Sequence, residues 1–121
     1  MTWTVELARG ARHDIDAILR ASAESFGPRA RQRYAELVAT ALADLRADPH
    51  CLGSVERPEL LPGTRTYHLR HCRRRSAVDG IAVGAPRHLL AYRIERGEVV
   101  VVLRVLHDAM ELSWQLGGGE G

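Results

Sequence analysis

The chain contains no lysine. All 17 basic residues are arginine, which excludes any mechanism built on a lysine amine. Strong net charge is also missing. A formal balance of +2 gives no global electrostatic drive onto nucleic acid, and no direct sequence-specific nucleic-acid binding is expected. No apolar run approaches the ~20 residues that span a bilayer. The N-terminus lacks a charged start followed by an apolar stretch, so no secretory signal is expected and the cytoplasm is the default compartment. Cysteine is scarce: Cys51 and Cys72 stand alone, and read as free thiols in a reducing compartment, with a disulfide left open. There is no phosphate-binding glycine loop, no nucleophile elbow and no paired-carboxylate constellation, and no cofactor is expected.

What is present suits one globular domain over residues 1–121, at 45% hydrophobic and 26% charged. Residues 2–7 alternate with period two and predict a strand with Trp3, Val5 and Leu7 inward. Residues 8–25 carry apolar side chains at helical spacing, including Ala11, Ile15, Ile18 and Leu19. Phe26-Gly27-Pro28 then stops that helix and starts a second over residues 29–47, on Tyr34, Leu37, Val38, Ala41, Leu42 and Leu45. So short a link predicts an antiparallel helical hairpin. Residues 49–63 hold three prolines and two glycines without a period, and predict a loop. Three strands follow: residues 64–70, residues 87–95, and residues 98–106 after a tight Arg96-Gly97 turn. The last is a near-continuous run of β-branched residues that suits a central strand. Residues 113–121 are glycine-rich and predict a flexible tail. The expected fold is therefore α+β: an N-terminal strand and an α-helical hairpin packed on an antiparallel sheet, in the order β-α-α-β-β-β.

Residues 71–86 separate two strands that a short turn could have joined. Asp79-Gly80 between apolar neighbours is a strong hairpin signal. If it is a two-residue turn, Val78 pairs with Ile81, Leu69 with Leu90, and Tyr67 with Tyr92, which predicts an extended hairpin arm with a bulge or kink near Pro86. If Glu95 faces Glu98, Leu90 faces Leu103 and Tyr92 faces Val101. One face then collects Tyr67, Leu69, Leu90, Tyr92, Ile94, Val99, Val101, Leu103 and Val105 as the core. The other mixes Arg70, Arg93 and Arg104 with Leu89, Val100 and Leu106, among others. That mixed face reads either as a solvated surface or as a partner-binding surface, and the second is favoured because exposed apolar residues rimmed by arginine recur at interfaces. A one-residue slip would exchange the faces.

Several clusters are candidates for chemistry. Arg73, Arg74 and Arg75 form a basic stretch suited to a phosphate or an acidic partner, or to solubility alone. His50, Cys51, His68, His71 and Cys72 do not have the spacing of a standard zinc finger, and no metal site is expected. His107, with Arg104 and His68, could support RNA cleavage, histidine as acid–base and arginine on the phosphate. A strand-end histidine bonded to Asp108 or Glu111 is the plainer reading of His107, and no catalytic residue is assigned. Asp14 stands either as a helix-terminus acid or as a partner of Arg65.

Read together, the motifs resemble the RelE/ParE superfamily of type II toxin–antitoxin toxins, in its ParE-like branch. The segments that carry the resemblance are Glu6 to Ile15, Phe26-Gly27 with Ala30 and Tyr34, Asp48-Pro49 with Leu52-Gly53, Gly63-Thr64-Arg65-Thr66-Tyr67, Arg87 to Arg93, and Arg104 to Glu111. Together they cover residues 5 to about 112, and the long connection at 71–86 departs from the family turn. The resemblance implies a toxin neutralised by a cognate antitoxin, ParD-like or other, with roles in stress response and plasmid stabilisation. ParE-like toxins poison DNA gyrase, whereas RelE-like relatives cut mRNA on the ribosome. The missing lysines and the lack of a late Tyr favour the non-enzymatic gyrase inhibitor. A ribonuclease, or a non-toxic antitoxin-binding relic, stands as the alternative.

Overall fold

The computed structural model describes residues 2–109; the expected tail at 113–121 lies outside them. Strand β1 (Thr4–Leu7) leads into helices α1 (Arg9–Phe26) and α2 (Pro28–Ala47), followed by β2 (Ser54–Glu56), β3 (Thr64–His68), a 3-10 turn at Leu69–Cys72, β4 (His88–Glu95) and β5 (Val99–His107). Helix α1 stops because Gly27 adopts φ +93° and Pro28 opens α2. With one residue between them the helices fold back as a hairpin. Helix α2 buries Leu37, Val38, Ala41 and Leu45, a 3–4 spacing that puts one stripe on the sheet.

The five-stranded sheet has the order β1-β5-β4-β3-β2. Only the β1–β5 pair is parallel. The valine run of β5 is thus paired on both edges, as its composition demands. Strand β2 lies within the segment expected to be a loop. It is three residues long with one apolar residue, Val55, so it carries no period to detect. It pairs with β3, Ser54 opposite Tyr67.

Two registers differ from expectation. Tyr67 lies opposite Leu90, and Tyr92 opposite Arg65, an offset of two residues from the Tyr67–Tyr92 match. The Asp79-Gly80 turn does form: both residues have positive φ (53° and 77°), and Val78 bridges Ile81 through hydrogen bonds of 3.0 and 2.9 Å. The ladder does not run down from it, because the chain turns into the 3-10 helix at Leu69, where the His68 ring accepts the Arg70 N–H. That helical turn consumes residues that counting from Asp79-Gly80 had assigned to a strand. An offset of two preserves faces, so Tyr67, Leu90 and Tyr92 still point into the core. Pro86 precedes the first β4 pair, His88 with His107, and interrupts no ladder.

The β4–β5 register does exchange faces. Glu95 pairs with Val99 rather than Glu98, because the loop holds three residues and closes with positive φ at Gly97 and Glu98. Val100 and Val102 therefore enter the core, both fully buried, where Val99 and Val101 were expected. Leu103 is then an extra residue opposite the Ala91/Tyr92 step, a bulge, after which Leu90 meets Val105 and the expected phase returns. Leu103 packs instead with Leu60, Leu61, Leu89, Ala91 and Leu106 in a second cluster. The mixed face is covered, and the structure corrects three expected partner contacts: Val100 is 0% exposed, and Leu89 and Leu106 are each 4% exposed.

Candidate functional site

The open apolar surface lies elsewhere. Helix α1 presents Ala17, Ala21 and Phe26, helix α2 presents Ala30 and Tyr34, and segment 81–85 faces them across a groove of about 740 Å³ that also touches His88 and His107. Phe26 and Ile81 stand 79% and 52% exposed. The groove exists because segment 81–85 stands off the helices after the Asp79-Gly80 turn. Arg33 and Arg87 are its cationic lining.

One end of the groove is a polar cluster built from the ends of β4 and β5. The Tyr34 hydroxyl and His88 Nδ1 are 2.6 Å apart, and the Arg87 N–H donates to that hydroxyl at 3.3 Å. The rings of His88 and His107 meet edge to face at 5.2 Å. Asp108 receives Arg87 at 3.2 Å and His68 Nε2 at 3.1 Å. His68 Nδ1 already accepts the Arg70 N–H, so its proton sits on Nε2 and is donated to Asp108. Burial, and then the charge of His107, pushes His88 down to about 4. Burial also lowers His68 against the pull of Asp108. Both rings are neutral near pH 7. His107 Nδ1 accepts the Ala109 N–H at 3.0 Å, and its ring lies 3.7 Å from Asp108. That contact is no hydrogen bond, because Nδ1 already accepts the Ala109 N–H, so the expected bond from His107 to Asp108 is not made; Glu111 lies outside the described residues.

Arg104 is not in this cluster. Its guanidinium donates twice to Asp14 of α1, at 2.7 and 3.0 Å, and Asp14 also accepts the Val105 N–H at 2.9 Å. The hydrogen bond to Asp14 raises the Arg104 pKa. Gly10 makes room, since a Cβ there would stand 2.8 Å from Arg104 Cδ. Asp14 thus partners Arg104. Arg65 donates instead to Ser54 and Glu56. The trio of His107, Arg104 and His68 is split: His68 bonds Asp108 and His107 lies beside it, whereas Arg104 is held on α1.

The basic stretch is largely structural. Arg75 clasps the Asp44 carboxylate at 2.8 and 2.7 Å, and Asp44 also accepts from Tyr67 at 2.7 Å and Cys72 at 3.3 Å. Burial pushes Asp44 up, but these donors outweigh it and its pKa is lowered. Burial pushes the Cys72 thiol to about 11 and raises Tyr67 strongly. Arg73 donates to the Val83 and Gly84 carbonyls at 2.6 and 3.3 Å, which fixes the groove's outer wall. Arg74 is exposed. Arg70 is exposed on the 3-10 turn rather than on a strand face, and Arg93 pairs with Glu95 at 2.7 Å. Among the described residues, no three His, Cys, Asp or Glu side chains converge as a metal site would require.

The family model of the ParE toxin of type II toxin–antitoxin systems, parDE, matches residues 5–112. The chain belongs to the ParE toxin family. No curated protein matches the sequence. Among solved structures, this ParE-family chain is similar to the chromosomal ParDE system of P. aeruginosa, at 18% identity and TM-score 0.61, over 87% of this chain and 95% of that one. It is also similar to the RelBE2 toxin–antitoxin complex of Mycobacterium tuberculosis, at 28% identity and TM-score 0.51, over 88% of this chain and 99% of that one. Within the ParE-family chain, sequence reasoning missed Tyr34 and His88 as one unit, because 54 positions separate them. By its spacing Tyr34 belongs to the core stripe of α2, and its hydroxyl is the one signal that it needs a polar partner.

Proposed function

We propose that the chain is the toxin of a type II toxin–antitoxin pair, that it acts by inhibiting DNA gyrase without catalysing a reaction, and that a cognate antitoxin neutralises it. The observation that carries the reading is the ParE family match over residues 5–112. The solved relatives named as ParDE and RelBE2 toxin–antitoxin systems support an antitoxin partner. With Leu89, Val100 and Leu106 buried, the groove along α1 is an apolar surface suited to such a partner. Arg104 supports the non-enzymatic side: as a phosphate clamp it would have to leave a two-pronged ion pair with Asp14.

The second reading is a RelE-like, ribosome-dependent mRNA endonuclease. His68 and His107 beside Asp108, with the Arg87 guanidinium next to them, favour it, since imidazoles near a cation that can meet a phosphate suit acid–base cleavage of RNA. Supercoiling and mRNA-cleavage assays separate the two. The expected outcome is loss of gyrase supercoiling with intact mRNA. Site-specific cleavage on ribosomes that disappears in His107→Ala would replace gyrase inhibition with the endonuclease reading. Intact supercoiling together with intact mRNA, from a folded protein, would leave a binding module.

A further inference from the structure

The groove is apolar and open, and Phe26 and Ile81 project from its rims. A contiguous apolar surface on a small protein marks a place that something covers. The chain itself indicates the occupant. Strand β5 ends at His107, whose ring lines the groove, so the residues beyond the described ones start near its mouth. They read Met110-Glu111-Leu112-Ser113-Trp114-Gln115-Leu116 before the glycines. Apolar and polar residues alternate strictly there. In extended backbone that alternation puts Met110, Leu112, Trp114 and Leu116 on one side.

Reach agrees. Seven extended residues cover ~23 Å, whereas the groove follows α1 from Ala17 to Phe26, a rise of ~14 Å. The volume falls in the ~300–1,000 Å³ range that takes a few large side chains. Residues 113–116 lie outside the family match, so the half of the occupant that carries Trp114 and Leu116 is not part of the matched family region. We infer that residues 110–116 dock in extended form into the groove of their own chain, with Trp114 set against the apolar face of α1, so that the groove is self-occluded. This goes beyond the functional reading above and does not depend on it.

Trp114 reports the docking directly. Its emission is the difference between the full chain and the W114F variant, which leaves Trp3 in place. Docking gives a blue-shifted Trp114 with weak acrylamide quenching. Ala21→Arg places a long charged side chain on the exposed α1 surface of the groove, with good helix propensity. It should move Trp114 to solvent-like emission while the far-UV circular dichroism stays unchanged. If Ala21→Arg does not fold, the paired change Leu112→Ser and Leu116→Ser leaves the groove untouched and should redden Trp114 in the same way. Solvent-like emission in the full chain overturns the inference, as does buried emission that survives these changes. A blue shift that grows with protein concentration also overturns it, by assigning the groove to a second copy's tail. No readout involves gyrase or an antitoxin, so failure here and failure of the toxin reading are separate results.

Discussion

Asp14 should matter more to the fold than the arginine it binds. Its carboxylate accepts two bonds from Arg104 and one from the Val105 N–H. Beyond Leu7, β1 no longer covers β5, so that N–H has Asp14 as its acceptor. Asp14→Ala removes all three bonds. The ion pair, with side chains 17% and 36% exposed, contributes about 0.5–1 kcal/mol once solvent screening is allowed for. The backbone bond to a charged acceptor contributes about 1.5–2 kcal/mol more. The expected cost is about 2–3 kcal/mol. For a domain of this size that corresponds to a melting point lower by roughly 8–12 °C. Arg104→Ala leaves the bond to Val105 in place and should cost about 1 kcal/mol. Urea unfolding followed by circular dichroism, on both single variants and the double variant, reads the difference and the coupling energy. If Arg104→Ala costs as much as Asp14→Ala, the bond to Val105 contributes nothing and the reasoning fails.

Two pH-dependent effects follow from the other polar clusters. The unfolded chain binds a proton at His88 near 6.5, which the folded chain refuses until about 4; stability should be complete above 6.5 and drain away as pH falls toward 4. Unfolding free energies across that range, flattened in His88→Gln, check it, and a His88 that titrates near 6.5 by NMR counts against it. Asp44 titrates with the opposite consequence for its charge: its lowered carboxyl adds stability above the ordinary value of 3.8 that is lost as pH falls through the folded value. Asp44→Ala, which strands the Tyr67 hydroxyl and the Cys72 thiol, should cost about 2–3 kcal/mol, whereas Arg75→Ala, whose side chain is 56% exposed, should cost under about 1 kcal/mol. Equal costs in urea titrations would show that the arginine, not the buried donors, dominates the cluster.

The helices were legible because their apolar spacing and the Gly27-Pro28 punctuation act locally. The β3–β4 faces survived a wrong register because side chains alternate with period two and the error was two residues. The β4–β5 faces did not survive, and the reason is specific. Val99 to Val102 are four identical side chains, so nothing in them marks which pair faces the helices. The turn that decides it places a glutamate, Glu98, at φ +60°, a conformation its residue type does not advertise. The bulge at Leu103 then returns the phase with no glycine or proline to signal it. The candidate site was harder still. Asp14 and Arg104 lie 90 positions apart, and the groove is a gap between packed elements that no single segment encodes. The family motifs marked the chain's class, whereas the Leu89 and Leu106 assignments depended on a face that Leu60 and Leu61 cover, and the Val100 assignment on a register that instead turns it into the main core.

The shortness of the outer strands has a consequence for how any partner is held. Strands β1 and β2 are the two margins of the sheet, and they are four and three residues long. A chain adding itself beside β2 would find only ~10 Å of backbone to pair with, too little for main-chain bonds to supply the affinity that strand addition relies on. The same brevity protects the free protein from edge-to-edge polymerisation. At these two margins, therefore, holding a partner falls to side chains seated in apolar depressions rather than to ladder register.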